Sequence, residues 1–181
     1  MSKEINTKAS ALFNSYPELD TGRTATLAEY KSLKWNIRRK VSKWFLELMT
    51  MYPVTDLDIG IPFNYGWDSL KDKKSHELPV LNTRFNSFKD IELEATESFP
   101  GVDLIKKGWI CIAFDENISG DGFYIRAKES NPKVIYVYHD CGTNAKELIA
   151  QAQVIANSFT EFLEIIKPQE DIDDWMDKNN V

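Results

Sequence analysis

The chain has little with which to build a covalent or metal scaffold. Two cysteines, Cys111 and Cys141, cannot make a disulfide framework in 181 residues. With His76 and His139 they are the whole set of soft ligand side chains, and no paired spacing of the zinc-finger or zinc-ribbon kind joins them, so no metal is expected. Long apolar runs are missing too. Nothing approaches membrane-spanning length, and Met1-Ser2-Lys3-Glu4 lacks the apolar stretch of a secretion signal. A reducing cytoplasm is the expected location, with no membrane partner. No segment completes a phosphate-loop or dinucleotide fingerprint, since Gly120-x-Gly122 stops short, and no cofactor is expected.

What the chain does have is apolar and aromatic mass. Hydrophobic residues make up 43%, including five Trp, seven Tyr and ten Phe, enough for one domain with a real core. The net charge of −6 is unevenly spread. Residues 1–50 hold nine Lys/Arg against five Asp/Glu, and the rest hold thirteen against twenty-three. The excess peaks in Glu170-Asp171-Ile172-Asp173-Asp174-Trp175-Met176-Asp177. Such a surface repels nucleic acid and speeds encounter with a basic partner, although it also serves plain solubility.

Periodicity divides the chain. A short helix is expected from Ala9 to Tyr16, before Pro17. From Thr24 to Tyr52 the pattern is helical. Leu27, Tyr30, Ile37, Val41, Trp44, Leu48 and Met51 fall on one stripe, disturbed between Ser32 and Asn36, where a second helix could begin. Lys31, Lys34, Arg38, Arg39, Lys40 and Lys43 cover the other faces, and a solvated helix surface is preferred over a phosphate-binding strip. Val54 to Gly66 reads as a strand with Leu57, Ile59 and Ile61 on one side, followed by a loop. Residues 68–100 read as polar loop, with a mobile tip at Lys71-Asp72-Lys73-Lys74 and a short helix from Asp90 to Glu97.

Three strands follow in close order. Trp109 to Phe114 is apolar throughout, as in a central strand covered on both faces. Phe123 and Ile125 alternate with Tyr124 and Arg126, which fits one wet face, and Val134 to Tyr138 is the third. Asn144 with Glu147 and Ser158 with Glu161 have the form of capping boxes. The residues Leu148, Ile149, Ala152, Ile155, Ala156, Phe159, Leu163 and Ile166 can form a continuous apolar stripe, broken near Asn157 by the second box. The expected architecture is α+β: a single domain with a central, mostly antiparallel sheet flanked by N-terminal and C-terminal helices. Residues 1–23 are read as an extension, 24–168 as the domain and 169–181 as an acidic tail.

Candidate chemistry is thin. Asp115-x-Asn117-x-Ser119-Gly120 imitates the start of a calcium loop, but the twelfth position, where a bidentate Glu is needed, is Arg126. A hairpin turn accounts for the same residues. His139 and Cys141, two apart on an extended segment, could share a face as base and nucleophile, with Cys111 on a neighbouring strand. No nucleophile elbow or oxyanion loop accompanies them, so a turn with a packed Cys is preferred and no enzyme is expected.

The order of these elements resembles the SUKH superfamily over about residues 35–163. Its carriers are Trp109-Ile-Cys-Ile-Ala-Phe-Asp, then Gly120-Asp121-Gly122 leading into a strand, then Val134-Ile-Tyr-Val-Tyr-His139-Asp140, and finally Ala156-Asn157-Ser158-Phe159-Thr160-Glu161-Phe162-Leu163. The chain departs from the family's usual N-terminal helix and Asn-Gly turn, offering Trp44-Phe45-Leu46-Glu47-Leu48 and Asn64-Tyr65-Gly66 instead. The family includes a yeast cell-wall-synthesis regulator domain and many bacterial immunity proteins. The resemblance implies a non-catalytic binding protein that neutralises a cognate toxin, a nuclease among the candidates, in a polymorphic toxin system. The alternative it implies is a regulatory scaffold that binds an endogenous signalling or cell-wall-synthesis protein.

A basic toxin domain would meet carboxylates. Asp115, Glu116, Asp121, Glu129 and Asp140, at strand ends and turns, are the expected partner-binding face, with Trp175 as an apolar anchor. Tyr124 and Tyr136 could anchor as well, but core packing is the preferred role for both. Oligomeric state stays open.

Overall fold

The computed structural model describes residues 2–17, 21–62, 80–116 and 120–168. Helix α1 spans Lys3–Ser15 and starts earlier than its expected bounds because Ser2 caps it, its hydroxyl accepting the Ile5 N–H at 3.2 Å. Ile5 and Ala9, one turn apart, are buried. The segment read as an extension therefore contributes to the same core as the rest of the chain.

The long helical pattern of residues 24–52 folds as three pieces: α2 (Leu27–Ser32), α3 (Trp35–Arg38) and α4 (Lys43–Met51). Thr26 and Glu29 form a capping box on α2, and Ser42 caps α4. Breaks at Leu33–Lys34 and Arg39–Ser42 rotate the stripe. Ile37, Val41, Trp44 and Leu48 remain buried, while Leu27 and Met51 at its ends stand exposed. The basic residues of this stretch lie mostly in solvent, with the Arg38 guanidinium 5.4 Å from the Trp35 ring centre.

The sheet has seven strands: β1 (Asp58–Pro62), β2 (Val80–Phe85), β3 (Ile110–Asp115), β4 (Gly122–Ile125), β5 (Val134–Val137), β6 (Gln153–Ala156) and β7 (Lys167–Pro168). Their order is β6-β5-β4-β3-β2-β1-β7, and every described pairing is antiparallel. The expected α+β class and antiparallel character are both present. Between β2 and β3 lie α5 (Phe88–Thr96), α6 (Gly101–Leu104) and a 3-10 turn (Ile105–Lys107). Helix α7 (Ala145–Gln151) precedes β6, and α8 (Phe159–Ile165) precedes β7.

Three expectations need correction. Residues 80–85, read as loop, form β2, because Thr83 and Phe85 face inward while Asn82 and Arg84 face out. The stripe from Leu148 to Ile166 is not continuous helix, since residues 153–156 pair with β5 as β6. Tyr124 faces no solvent; it is 1% exposed, and β4 is covered on both sides. The expected tip at Lys71–Lys74 and the anchor Trp175 lie outside the described residues.

Each face of the sheet carries its own core. On one face Ile110, Phe123, Ile125, Val134 and Tyr136 pack with residues of α1, α3, α4 and α8. Its aromatic rings interlock: Phe123 and Tyr136 lie 4.9 Å apart, Trp44 and Phe159 5.1 Å, and Phe85 and Phe162 6.1 Å. Each such ring, fully buried, contributes about 1.5–3 kcal/mol. The Trp44 indole N–H also donates to the Glu129 carbonyl at 2.7 Å, which ties α4 to the turn after β4. The other face is smaller. Trp109, Cys111, Tyr124, Ile135 and Val137 pack there against Leu104 of α6 and Ala145 and Leu148 of α7.

Candidate functional site

The β3–β4 register, Ile110 opposite Ile125 and Phe114 opposite Gly122, brings Asp115 and Asp121 to one end of the sheet. There they meet Tyr136 of β5, which is fully inside the core. Its hydroxyl lies 2.8 Å from Asp115 Oδ2 and 3.1 Å from Asp121 Oδ2, so one phenolic proton faces two carboxylates. Burial first, and then the Asp115 carboxylate, push the phenol's pKa far above its ordinary value, which keeps Tyr136 a donor. Asp121 Oδ1 accepts the His139 backbone N–H at 2.8 Å and lies 2.7 Å from its ring Nδ1. One side chain thus fixes the start of β4 to the turn that follows β5. Gly120 permits this closure: its φ is +96°, and a Cβ there would sit 2.9 Å from the His139 ring.

Beside this cluster opens a cleft of about 600 Å³, lined by Arg84, Glu94, Phe99, Phe114, Asp115 and Glu116, among others. Glu94 is buried in its wall, 4% exposed. Glu94 Oε1 accepts the Tyr124 hydroxyl at 2.6 Å and the Gly101 N–H at 2.9 Å. Burial raises the Glu94 pKa, and the hydrogen bonds from Tyr124, Gly101 and Ser98 offset only part of that rise. The chain passes so close here that a Cβ on Gly101 would meet the Glu94 carbonyl oxygen at 2.4 Å. Phe99, 40% exposed, forms an apolar rim, and the exposed Arg84 and Glu116 approach to 3.6 Å. Among its described lining residues, three carboxyl groups against one guanidinium make the cleft acidic.

The sequence-predicted residues fall in different places. Glu116 is exposed on the cleft. Asp115 and Asp121 are only 4% and 3% exposed, so neither stands on an open surface: they engage Tyr136 and His139, and Asp115 reaches solvent only through the cleft wall. Asp140 is exposed in the turn after β5. Glu129 is exposed at the opposite end of the strands, 3.4 Å from Arg126. Tyr124 and Tyr136 are core residues, as preferred. Sequence reasoning missed Glu94. Its signal was a carboxylate three residues after Ile91 and six after Phe88, hence on the apolar side of α5.

Both cysteine thiols are raised above their ordinary pKa. Burial pushes the Cys111 thiol well above its ordinary pKa, and nearby Glu94 pushes it further. The Cys141 thiol is also raised, first by lost solvation and then by Asp140, while His139 engages Asp121. Among the described residues no group of three His, Cys, Asp or Glu could hold a metal ion, and no helix is long and apolar enough to cross a membrane.

Neither a scan of protein-family models nor searches of curated proteins and of solved structures find a match to this chain.

Proposed function

We propose that this chain is a non-catalytic, SUKH-like binding protein of the immunity type, which neutralises a basic toxin domain through the acidic cleft. The single observation that carries the proposal is that cleft: Glu94, Asp115 and Glu116 around a space large enough for a side chain, with Phe99 at its mouth. A Lys or Arg of a partner entering it would exchange water for carboxylates set in a low-dielectric wall. Phe99 and Phe114 would cover its aliphatic stem. A nuclease must be basic where it grips phosphate, so occupying that surface with acidic groups blocks substrate and speeds capture. The order of elements supports the same reading, since the sheet and closing helix follow the sequence of the resemblance.

The test is capture of partners by the immobilised full chain from a lysate of its source organism, at low and high salt. Calorimetry of the purified pair with Glu116→Lys and Phe99→Ala variants then follows. A single basic toxin domain whose affinity drops with both substitutions supports the proposal. An endogenous signalling or wall-synthesis partner would favour the scaffold alternative. A partner indifferent to both substitutions would remove the acidic cleft as the binding site.

A further inference from the structure

At the other end of β3, β4 and β5 lies a second cleft, of about 670 Å³, whose charge is opposite. Lys107, Trp109, Arg126, Lys133, Lys146 and Ile149 contribute to its wall. The Arg126 guanidinium lies 5.6 Å from the Trp109 ring centre and is held by the Lys107 carbonyl and Glu129, both at 3.4 Å. The three lysines are exposed, and among the described contacts none of their ammonium groups has a carboxylate partner. Elsewhere lysines do find one: Lys106 meets Asp103 at 2.6 Å, Lys43 meets Glu47 at 3.7 Å, and Lys8 pairs with Glu164.

Lys146 also sits in the first turn of α7, where the helix dipole disfavours a cation. In a chain with six more acidic than basic residues, four cations converge on one cleft, and among its described lining residues Glu129 is the one carboxylate to offset them. A multivalent anion would relieve that repulsion. Ammonium groups act as point charges suited to phosphate, and Trp109 with Ile149 supplies apolar wall. The volume is that of a small-ligand site. The net charge of −6 disfavours a long nucleic acid.

We propose that this basic cleft binds a small phosphate-bearing ligand carrying two or more negative charges, held by Lys107, Lys133, Lys146 and Arg126. The test is calorimetric titration of the full chain with inorganic pyrophosphate and with ATP, without divalent metal, at about 150 mM salt. A Lys107→Ala/Lys133→Ala/Lys146→Ala variant and an acidic hexapeptide serve as comparisons. Saturable binding at one site, weakened at least about tenfold in the triple variant, is the expected result. ATP no tighter than pyrophosphate would assign recognition to phosphate alone, and tighter ATP would add the apolar wall. The substituted side chains are exposed, so the variant should melt like the parent and a loss of binding reports the site. Absence of binding, binding untouched by the triple substitution, or binding of the hexapeptide alone overturns the proposal.

Discussion

The two ends of the β3–β5 strands carry charge in opposite ways. At the Asp115–Asp121 end three carboxylates, Glu94, Asp115 and Asp121, are buried and engaged by Tyr136, His139, Tyr124 and Gly101. At the Trp109–Arg126 end the charges are mostly cationic and exposed, and among the described contacts three of them have no partner carboxylate. The difference separates two functions of charge. A buried carboxylate is part of the fold, because removing it strands donors that water cannot reach. An exposed ammonium shapes the field around the molecule and costs the fold little to lose.

The largest expected effect tests that separation directly. Asp121→Ala removes the acceptor for the His139 backbone N–H and one of the two acceptors facing Tyr136. It is expected to destabilise the fold by about 2–4 kcal/mol, lowering Tm by roughly 5–15 °C. Lys133→Ala at the other end should change stability by less than about 0.5 kcal/mol. Thermal and urea unfolding of the two variants side by side measure both. Similar, small shifts in the two would erase the contrast.

Glu94 gives the next effect and makes it depend on pH. Its pKa in the fold is raised, so the folded chain keeps this proton at pH values where the unfolded chain has released it. The stability from this group is fully present below the ordinary carboxylate value and is lost as pH rises through the raised one. Glu94→Gln keeps an acceptor for Tyr124 and Gly101 while burying no charge. It should flatten that slope and stabilise the protein at neutral pH. Glu94→Ala strands the Tyr124 hydroxyl and the Gly101 N–H and should cost about 2 kcal/mol. Unfolding free energies of the parent and both variants, taken from below the carboxylate range to neutral pH, separate these outcomes. A Glu94→Gln slope equal to the parent's would place the titration elsewhere.

The same contrast explains what the sequence could reveal. Strands β3, β4 and β5 were legible because their apolar runs are nearly unbroken. Strand β2 was not, because Asn82, Thr83 and Arg84 look like loop until Thr83 is seen to count as an inward residue. Strand β6 was hidden by residues spaced well enough for a helix; only its pairing with β5 decides the matter. At the acidic end the aspartates were recognised as strand-end residues, but their burial depends on Tyr136, 21 and 15 residues further on. At the basic end the four cations are spread over residues 107–146, and only the β3–β4–β5 register and the placement of α7 bring them together. Local pattern carries elements, and long-range pairing carries sites.

A smaller effect than those of Asp121 and Glu94 is also the one in which the two ends should differ in sign. Lys146→Glu puts a carboxylate in the first turn of α7, where the dipole favours it, and removes one of the mutually repelling cations beside Lys107 and Lys133. The fold should gain about 0.3–1 kcal/mol, read as a small rise in the urea midpoint at unchanged slope. The gain should shrink in high salt, since both contributions are exposed to solvent. The same substitution should weaken phosphate binding, so stability and affinity would move in opposite directions at this end. At the acidic end, by contrast, Asp121→Ala loses stability outright. A Lys146→Glu variant that is destabilised would mean that Lys146 is held by contacts of its own, and the cleft's open charge would then be a property of the fold rather than a provision for a ligand.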